Sequence, residues 1–305
     1  MGLLEAHRAM AGRIAVVVGG AAGHLGRGVT LGLVREGVTV VLCDNDRDGL
    51  ALIGPEAEAI AAEAHPGKVY PVYADVADPA SLDAFWDKVE AGFGHVDIVV
   101  NVAGLVHRSM FEHTTRADHA SDIRMNYGYV VDSCQRAIPL LRKSRANGGK
   151  GGGSIINFTT IEAHRGAATF AVYAGAKAAT TNFSRALAVE LGAEQIRVNC
   201  VATDTSPARA SNAALAPEDF ERLAELGPDA LEKAIQFYVP QKRPPSVDDV
   251  VDGVLFLASD LSRTVTGTTL HIDGGTYAAF GFLDWPEGDR FMPAPLGGSM
   301  KKLFA

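Results

Sequence analysis

Seven short apolar runs punctuate the chain, at 14–18, 38–43, 69–73, 98–100, 154–158, 197–201 and 269–272. They are rich in Val and Ile and do not alternate apolar with polar positions, the pattern of parallel strands covered on both faces. Between them, 25–35, 81–93, 121–142 and 173–191 carry apolar residues at helical spacing. Strand–helix alternation predicts an α/β fold, a doubly wound parallel sheet of about seven strands with right-handed crossovers and helices on both faces. The pattern runs through 1–275, so one domain is expected. Residues 205–245 interrupt it between the last two strands, end in Pro244-Pro245, and are too long for an ordinary connection. Such an excursion predicts a mobile lid. Residues 276–305 hold Phe280, Phe282, Trp285 and Phe291 among Pro286, Pro293 and Pro295. They are too apolar for a solvated tail and too interrupted for one helix, which predicts an extended strap without regular structure.

Composition narrows the class. The 305 residues are 47% hydrophobic and 21% charged, ordinary globular values. A net charge of -8 argues against nucleic acid and anionic membrane surfaces as partners. No window approaches a membrane span, and Met1-Gly2-Leu3-Leu4-Glu5-Ala6 lacks the basic-then-apolar order of a signal peptide, so a cytoplasmic location is expected. Cys43, Cys134 and Cys200 each lie in an apolar run and read as buried, reduced thiols. His107, His113 and His119 match no ligand spacing on a helix, and no metal is expected.

The first strand runs into Gly19-Gly20-Ala21-Ala22-Gly23-His24-Leu25-Gly26 and then a helix. Glycines let the backbone approach a pyrophosphate, and a helix N-terminus offers unpaired N–H groups and a positive dipole end. Gly20, Ala22, His24, Leu25 and Gly26 are therefore candidate cofactor residues. His24 either meets a phosphate or is an exposed side chain of the first turn. Asp44 ends the second strand, about twenty residues on, where a carboxylate takes ribose hydroxyls and repels a 2′-phosphate. NAD is thus favoured over NADP, with Arg47 as the counter-argument. Asp75 and Val76, after the third strand, are placed for the adenine.

Tyr173-Ala174-Gly175-Ala176-Lys177 supplies proton chemistry. A phenol ionises near pH ~10 and is a poor base at neutrality. An ammonium one helical turn away stabilises the phenolate, and about 4 kcal/mol brings the phenol near 7. Lys177 is expected to act on Tyr173 in this way. The pocket liners expected beside them, His107, Arg108, Glu162, His164, Arg165 and Phe170, are polar enough to favour a small hydroxylated or carboxylated substrate. Thr160, Glu162, His164 and Tyr173 are the candidate substrate residues.

These residues resemble the short-chain dehydrogenase/reductase family over about residues 10–277. The glycine turn is similar to that family's Thr-Gly-x-x-x-Gly-x-Gly, keeping Gly20 and Gly26. Asn101-Val102-Ala103-Gly104 resembles its Asn-Asn-Ala-Gly, Met125-Asn126 the site of its active-site Asn, Tyr173 and Lys177 its Tyr-x-x-x-Lys, and Ile272-Asp273-Gly274-Gly275 its closing Asp-Gly-Gly. The resemblance implies a Rossmann-type fold, hydride transfer between a nicotinamide cofactor and a secondary alcohol or ketone, and a homo-oligomer, dimer or tetramer, to whose neighbour the tail crosses. It implies a catalytic set of Asn126, Thr160, Tyr173 and Lys177, with Asn101, Ala103, Gly104, Tyr173, Lys177 and Asp204 beside the cofactor. Three departures stand out. His24 replaces a glycine and Gly19 a threonine, Thr160 replaces a serine while keeping the hydroxyl, and Thr203-Asp204 replaces a Pro-Gly beside the nicotinamide. Asp204 there either alters cofactor placement or reaches a polar substrate. Two other readings remain, an NADP-dependent carbonyl or 3-oxoacyl reductase and a non-catalytic NAD-binding scaffold.

Overall fold

The computed structural model describes residues 10–21, 23–61, 67–144, 152–204, 230–285 and 290–293. Ala22 and residues 205–229, most of the expected lid, lie outside the described residues. Seven strands, β1 (Ile14–Val18), β2 (Thr39–Asp44), β3 (Val69–Tyr73), β4 (Ile98–Asn101), β5 (Gly153–Thr160), β6 (Ile196–Thr203) and β7 (Thr269–Ile272), form one sheet in the order β3-β2-β1-β4-β5-β6-β7. Every neighbouring pair is parallel. The order reverses between β1 and β4, and at such a switch point the crossovers diverge and leave a crevice at the carboxyl ends of the strands.

Burial on both faces explains the unalternating strands. Val16 and Val18 of β1 pack with Leu82, Phe85 and Trp86 on one side. Ala15 and Val17 pack with Val29, Leu33 and Val254 on the other. The helices are α1 (His24–Arg35), α2 (Arg47–Ala61), α3 (Pro79–Phe93), α4 (Arg116–Ile123), α5 (Tyr129–Leu141), α6 (Ala171–Leu191), α7 (Ala230–Tyr238), α8 (Val247–Ala258) and the short α9 (Thr276–Ala279). The expected helix at 121–142 starts earlier and is not uniform. A π turn, Arg124–Gly128, joins α4 to α5. The tail is also corrected: β8 (Phe282–Trp285) and β9 (Arg290–Pro293) pair antiparallel, and β8 lies against α7 of the same chain. Two extended segments can satisfy each other's backbone groups, which a lone strap cannot. No helix among the described residues is long and apolar enough to cross a membrane.

Candidate active site

The register brings the C-terminal ends of the strands level. Val18 pairs with Asn101, Asn101 with Asn157, and Thr160 with Thr203. Just past Val18, the N–H groups of Gly19 and Gly20 both donate to the Cys43 carbonyl, at 2.8 and 3.2 Å, fastening the turn to β2. Gly19 has φ +86°, and a Cβ there would stand 2.7 Å from the Ala103 nitrogen. A Cβ on Gly26 would stand 1.9 Å from the Gly19 carbonyl oxygen, so neither position tolerates a side chain. Gly23 is the N-cap of α1 and makes no side-chain capping bond, leaving first-turn N–H groups to an incoming acceptor.

Beside this turn opens a cleft of about 350 Å³, lined by His24, Leu25, Asp44, Val76, Ala103 and Gly104 among others. The other expected cofactor residues serve the frame. Gly20 accepts from the Thr30 hydroxyl at 2.9 Å. Asp75 turns its carboxylate onto the Ala77 N–H at 2.9 Å. Fully buried Asn101 donates to Asn157 Oδ1 at 2.8 Å and accepts from Ser133 Oγ at 2.7 Å, tying β4 to β5 and α5. Asp44 is only 7% exposed and accepts from the N–H groups of Ala21 at 3.0 Å and Asp46 at 3.1 Å. It is a strut of the turn as well as a cleft wall, a role that spacing alone does not reveal. Arg47 lies 3.9 Å from the centroid of the Tyr73 ring.

The proton-handling residues sit at the ends of β5 and α6. Lys177 is 4% exposed, and its Nζ donates to the Phe158 carbonyl at 3.0 Å. Burial pushes its ammonium down to about 8. Tyr173 goes the opposite way from the expectation: burial and then the charge of Glu162 push it up to about 12. The Lys177 ammonium, which donates to the Phe158 carbonyl, does not offset that rise. Asn126 stands in the π turn and donates to the carbonyls of Leu105 at 2.6 Å and Asp122 at 2.9 Å. Its Oδ1 is buried without a hydrogen-bond partner. That oxygen lies 3.2 Å from where a Cβ on Gly104 would be, and Lys177 Nζ 3.6 Å from the same point. An orphaned acceptor beside an ammonium is where a polar ligand group or ordered water fits.

On the substrate side, Thr160 Oγ1 donates to Glu162 Oε2. Glu162 Oε1 accepts from Arg165 at 2.8 Å. Arg165 also pairs with Asp204 at 3.9 Å and is hydrogen-bonded to Tyr238 of α7. Asp204, expected beside the nicotinamide, thus belongs to an ionic network anchored on Arg165. His164 packs its ring 5.0 Å from His271 and 5.3 Å from Tyr277, and burial lowers its pKa. His107 shares a hydrogen bond of 2.8 Å between its Nδ1 and Oδ1 of buried Asp122. Sequence reasoning missed Asp122, although it lies one helical turn before Asn126.

A glycine cradle at the switch point of a parallel sheet, near a half-buried Tyr and a buried Lys, Thr and Asn, is the apparatus of a dinucleotide-dependent oxidoreductase. A family model described as Enoyl-(Acyl carrier protein) reductase matches residues 20–277. The chain is 31% identical to the D-xylose 1-dehydrogenase of Caulobacter vibrioides, covering 87% of this chain and 95% of that one. It is 29% identical to the 3-oxoacyl-[acyl-carrier-protein] reductase FabG of Thermotoga maritima, covering 87% and 97%. The solved Pseudomonas aeruginosa RhlG/NADP active-site complex superposes with a TM-score of 0.75 at 26% identity, covering 89% of this chain and 98% of that one. The chain belongs to the short-chain dehydrogenase/reductase family, and it is a nicotinamide-dependent oxidoreductase acting between alcohol and carbonyl carbon.

Proposed function

We propose that the enzyme interconverts a small polar secondary alcohol and its ketone with NAD as the preferred cofactor. The observation that supports this reading is the cleft at the glycine turn, whose Gly104 faces Asn126 Oδ1 and Lys177 Nζ, together with the hydrogen bond between Tyr173 and Thr160. When bound, the nicotinamide ring accepts or returns the hydride. Tyr173 takes the hydroxyl proton in oxidation and gives it back in reduction; its raised pKa keeps the proton in place for reduction at neutral pH. Thr160 orients the substrate oxygen. Lys177 holds the ribose hydroxyls, and its charge favours the phenolate once it turns from the Phe158 carbonyl. Asn126 Oδ1 holds a water on the proton's way out. Asp44 supports NAD, because a 2′-phosphate in that part of the cleft meets a buried carboxylate. The working assembly is a dimer or tetramer in the cytoplasm, built of one domain over 1–275 with a lid at 205–245.

A panel of secondary alcohols and ketones, followed at the NADH absorbance, tests the activity. Tyr173→Phe is expected to lower turnover by at least ~10²-fold while cofactor binding persists. Turnover that survives the substitution counts against the assignment, and an inert panel favours a scaffold. NAD is expected to exceed NADP in kcat/KM by roughly 30-fold, the equivalent of about 2 kcal/mol. Equal values would instead favour the NADP-linked 3-oxoacyl reductase reading, which the names of FabG and the RhlG/NADP complex support.

A further inference from the structure

We propose that Glu162 is a specificity-determining residue, selecting a neutral alcohol that carries a second hydroxyl on the carbon next to the reacting one. This rests on the reading of Thr160 as the residue that orients the reacting oxygen. A threonine hydroxyl has one proton to donate, and here it goes to Glu162 Oε2. Thr160 is therefore left as an acceptor, with Tyr173 as its hydrogen-bonded neighbour. It can donate to a substrate oxygen only when something else satisfies Glu162.

Glu162 has little freedom to look elsewhere. Its side chain is 10% exposed, and Arg165 holds the other carboxylate oxygen at 2.8 Å. Arg165 is in turn fixed by Asp204 and Tyr238, so the carboxylate is held from both the residue just past β6 and α7. A substrate oxygen placed between Tyr173 and Thr160 brings its neighbouring carbon toward Glu162. A hydroxyl on that carbon can donate to Oε2, exchanging one charge-assisted bond for another and freeing the Thr160 proton. An alcohol without that hydroxyl leaves Thr160 bound to Glu162, and a substrate carboxylate there meets like charge. Sites built around a hydroxyl reject analogues lacking it far more strongly than apolar pockets reject a missing methylene.

The test uses the full-length protein saturated with NADH, which does not react with alcohols, and reads quenching of its bound-cofactor fluorescence. The matched probes are cis-cyclohexane-1,2-diol, cyclohexanol and cis-2-hydroxycyclohexane-1-carboxylate. The diol is expected to bind at least roughly tenfold tighter than cyclohexanol, and the hydroxy acid weakest. Glu162→Gln is expected to reduce both differences to within about threefold while NADH affinity is unchanged. Any other order in the wild-type protein, including undetectable binding of the diol, overturns the proposal without recourse to a variant. So does an unchanged order in Glu162→Gln. Oxidation of cyclohexanol that depends on Tyr173, with no preference for the diol, sinks the Glu162 assignment alone. Loss of every Tyr173-dependent turnover sinks the reading beneath it.

Discussion

Lys177 is a buried ammonium that donates to a backbone carbonyl, and the cofactor-free protein carries it at a cost. Its pKa falls from 10.5 to about 8, so below pH 8 it is charged in both folded and unfolded chains, but less favourably in the folded one. Between pH 8 and 10.5 the unfolded chain binds more protons, so this residue's contribution to stability rises with pH and the penalty disappears above that window. Lys177→Met is therefore expected to stabilise the cofactor-free protein by about 1–3 kcal/mol at pH 7 while abolishing activity. Denaturant unfolding at pH 7 and 10.5 checks it; a gain that is equal at both pH values would assign the effect to packing. Tyr173 has the opposite sign. Its pKa is raised from 10.0 to about 12, so it stabilises the fold below 10 and that contribution is lost as pH climbs through 12. Because Glu162 is the second cause of that rise, Glu162→Gln should bring the phenol down toward 10, read as the absorbance titration of Tyr173 after subtracting Tyr173→Phe.

At the scale of elements, the glycine turn and α1 act as one rigid piece. A Cβ on Gly26 meets the backbone of Gly19, which cannot swing aside like a side chain. Gly26→Ala is expected to cost at least about 2 kcal/mol and to weaken NADH binding more than tenfold. A calorimetric titration showing wild-type affinity would mean that the turn relaxes. The same element was legible in the sequence because the physical demand falls on consecutive residues. The strands were legible for a similar reason, since burial on both faces writes itself as an unbroken apolar run. α2 is hard to read from the sequence, because Gly54-Pro55 resembles a breaker; Pro55 sits on the exposed side while Ile53 and Ala57 face the core. α8 carries its sequence signal in a capping box, in which Ser246 Oγ accepts from the Asp249 N–H and Asp249 accepts from the Ser246 N–H. The π turn left no compositional trace, yet it places Asn126 and lets the Asn126 carbonyl accept from Thr180 Oγ1 at 2.6 Å. π turns of this kind recur at functional sites, where an extra residue re-aims the backbone.

Across the whole molecule, what the sequence hid is what the topology assembles. Tyr173 and Lys177 share one helix turn, whereas Arg165, Asp204 and Tyr238 belong to three different parts of the fold and meet only because β5, β6 and α7 converge. The tail extends the same chain of contacts outward. β8 lies against α7, Asp284 of β8 pairs with Lys242 just beyond α7, and α7 carries the Tyr238 that is hydrogen-bonded to Arg165. A half-exposed ion pair of this kind contributes on the order of 1 kcal/mol, so the support comes from the hairpin as a whole rather than from that pair. The hairpin therefore bears on the substrate side of its own subunit, and the course of 294–305 lies outside the described residues. Ending the chain at Phe280 removes β8 and β9 but leaves α9 and the cleft lining intact. The truncated enzyme is expected to bind NADH as before, while KM for its alcohol rises at least about fivefold, because Arg165 and then Glu162 lose the brace that fixes them. Asp284→Ala alone should shift KM by less than about twofold. Steady-state kinetics at saturating cofactor, with NADH affinity measured separately, decide the matter. If truncation weakens NADH binding and leaves KM unchanged, the hairpin braces the cofactor half; if it changes neither but halves the particle mass in solution, its role lies between subunits.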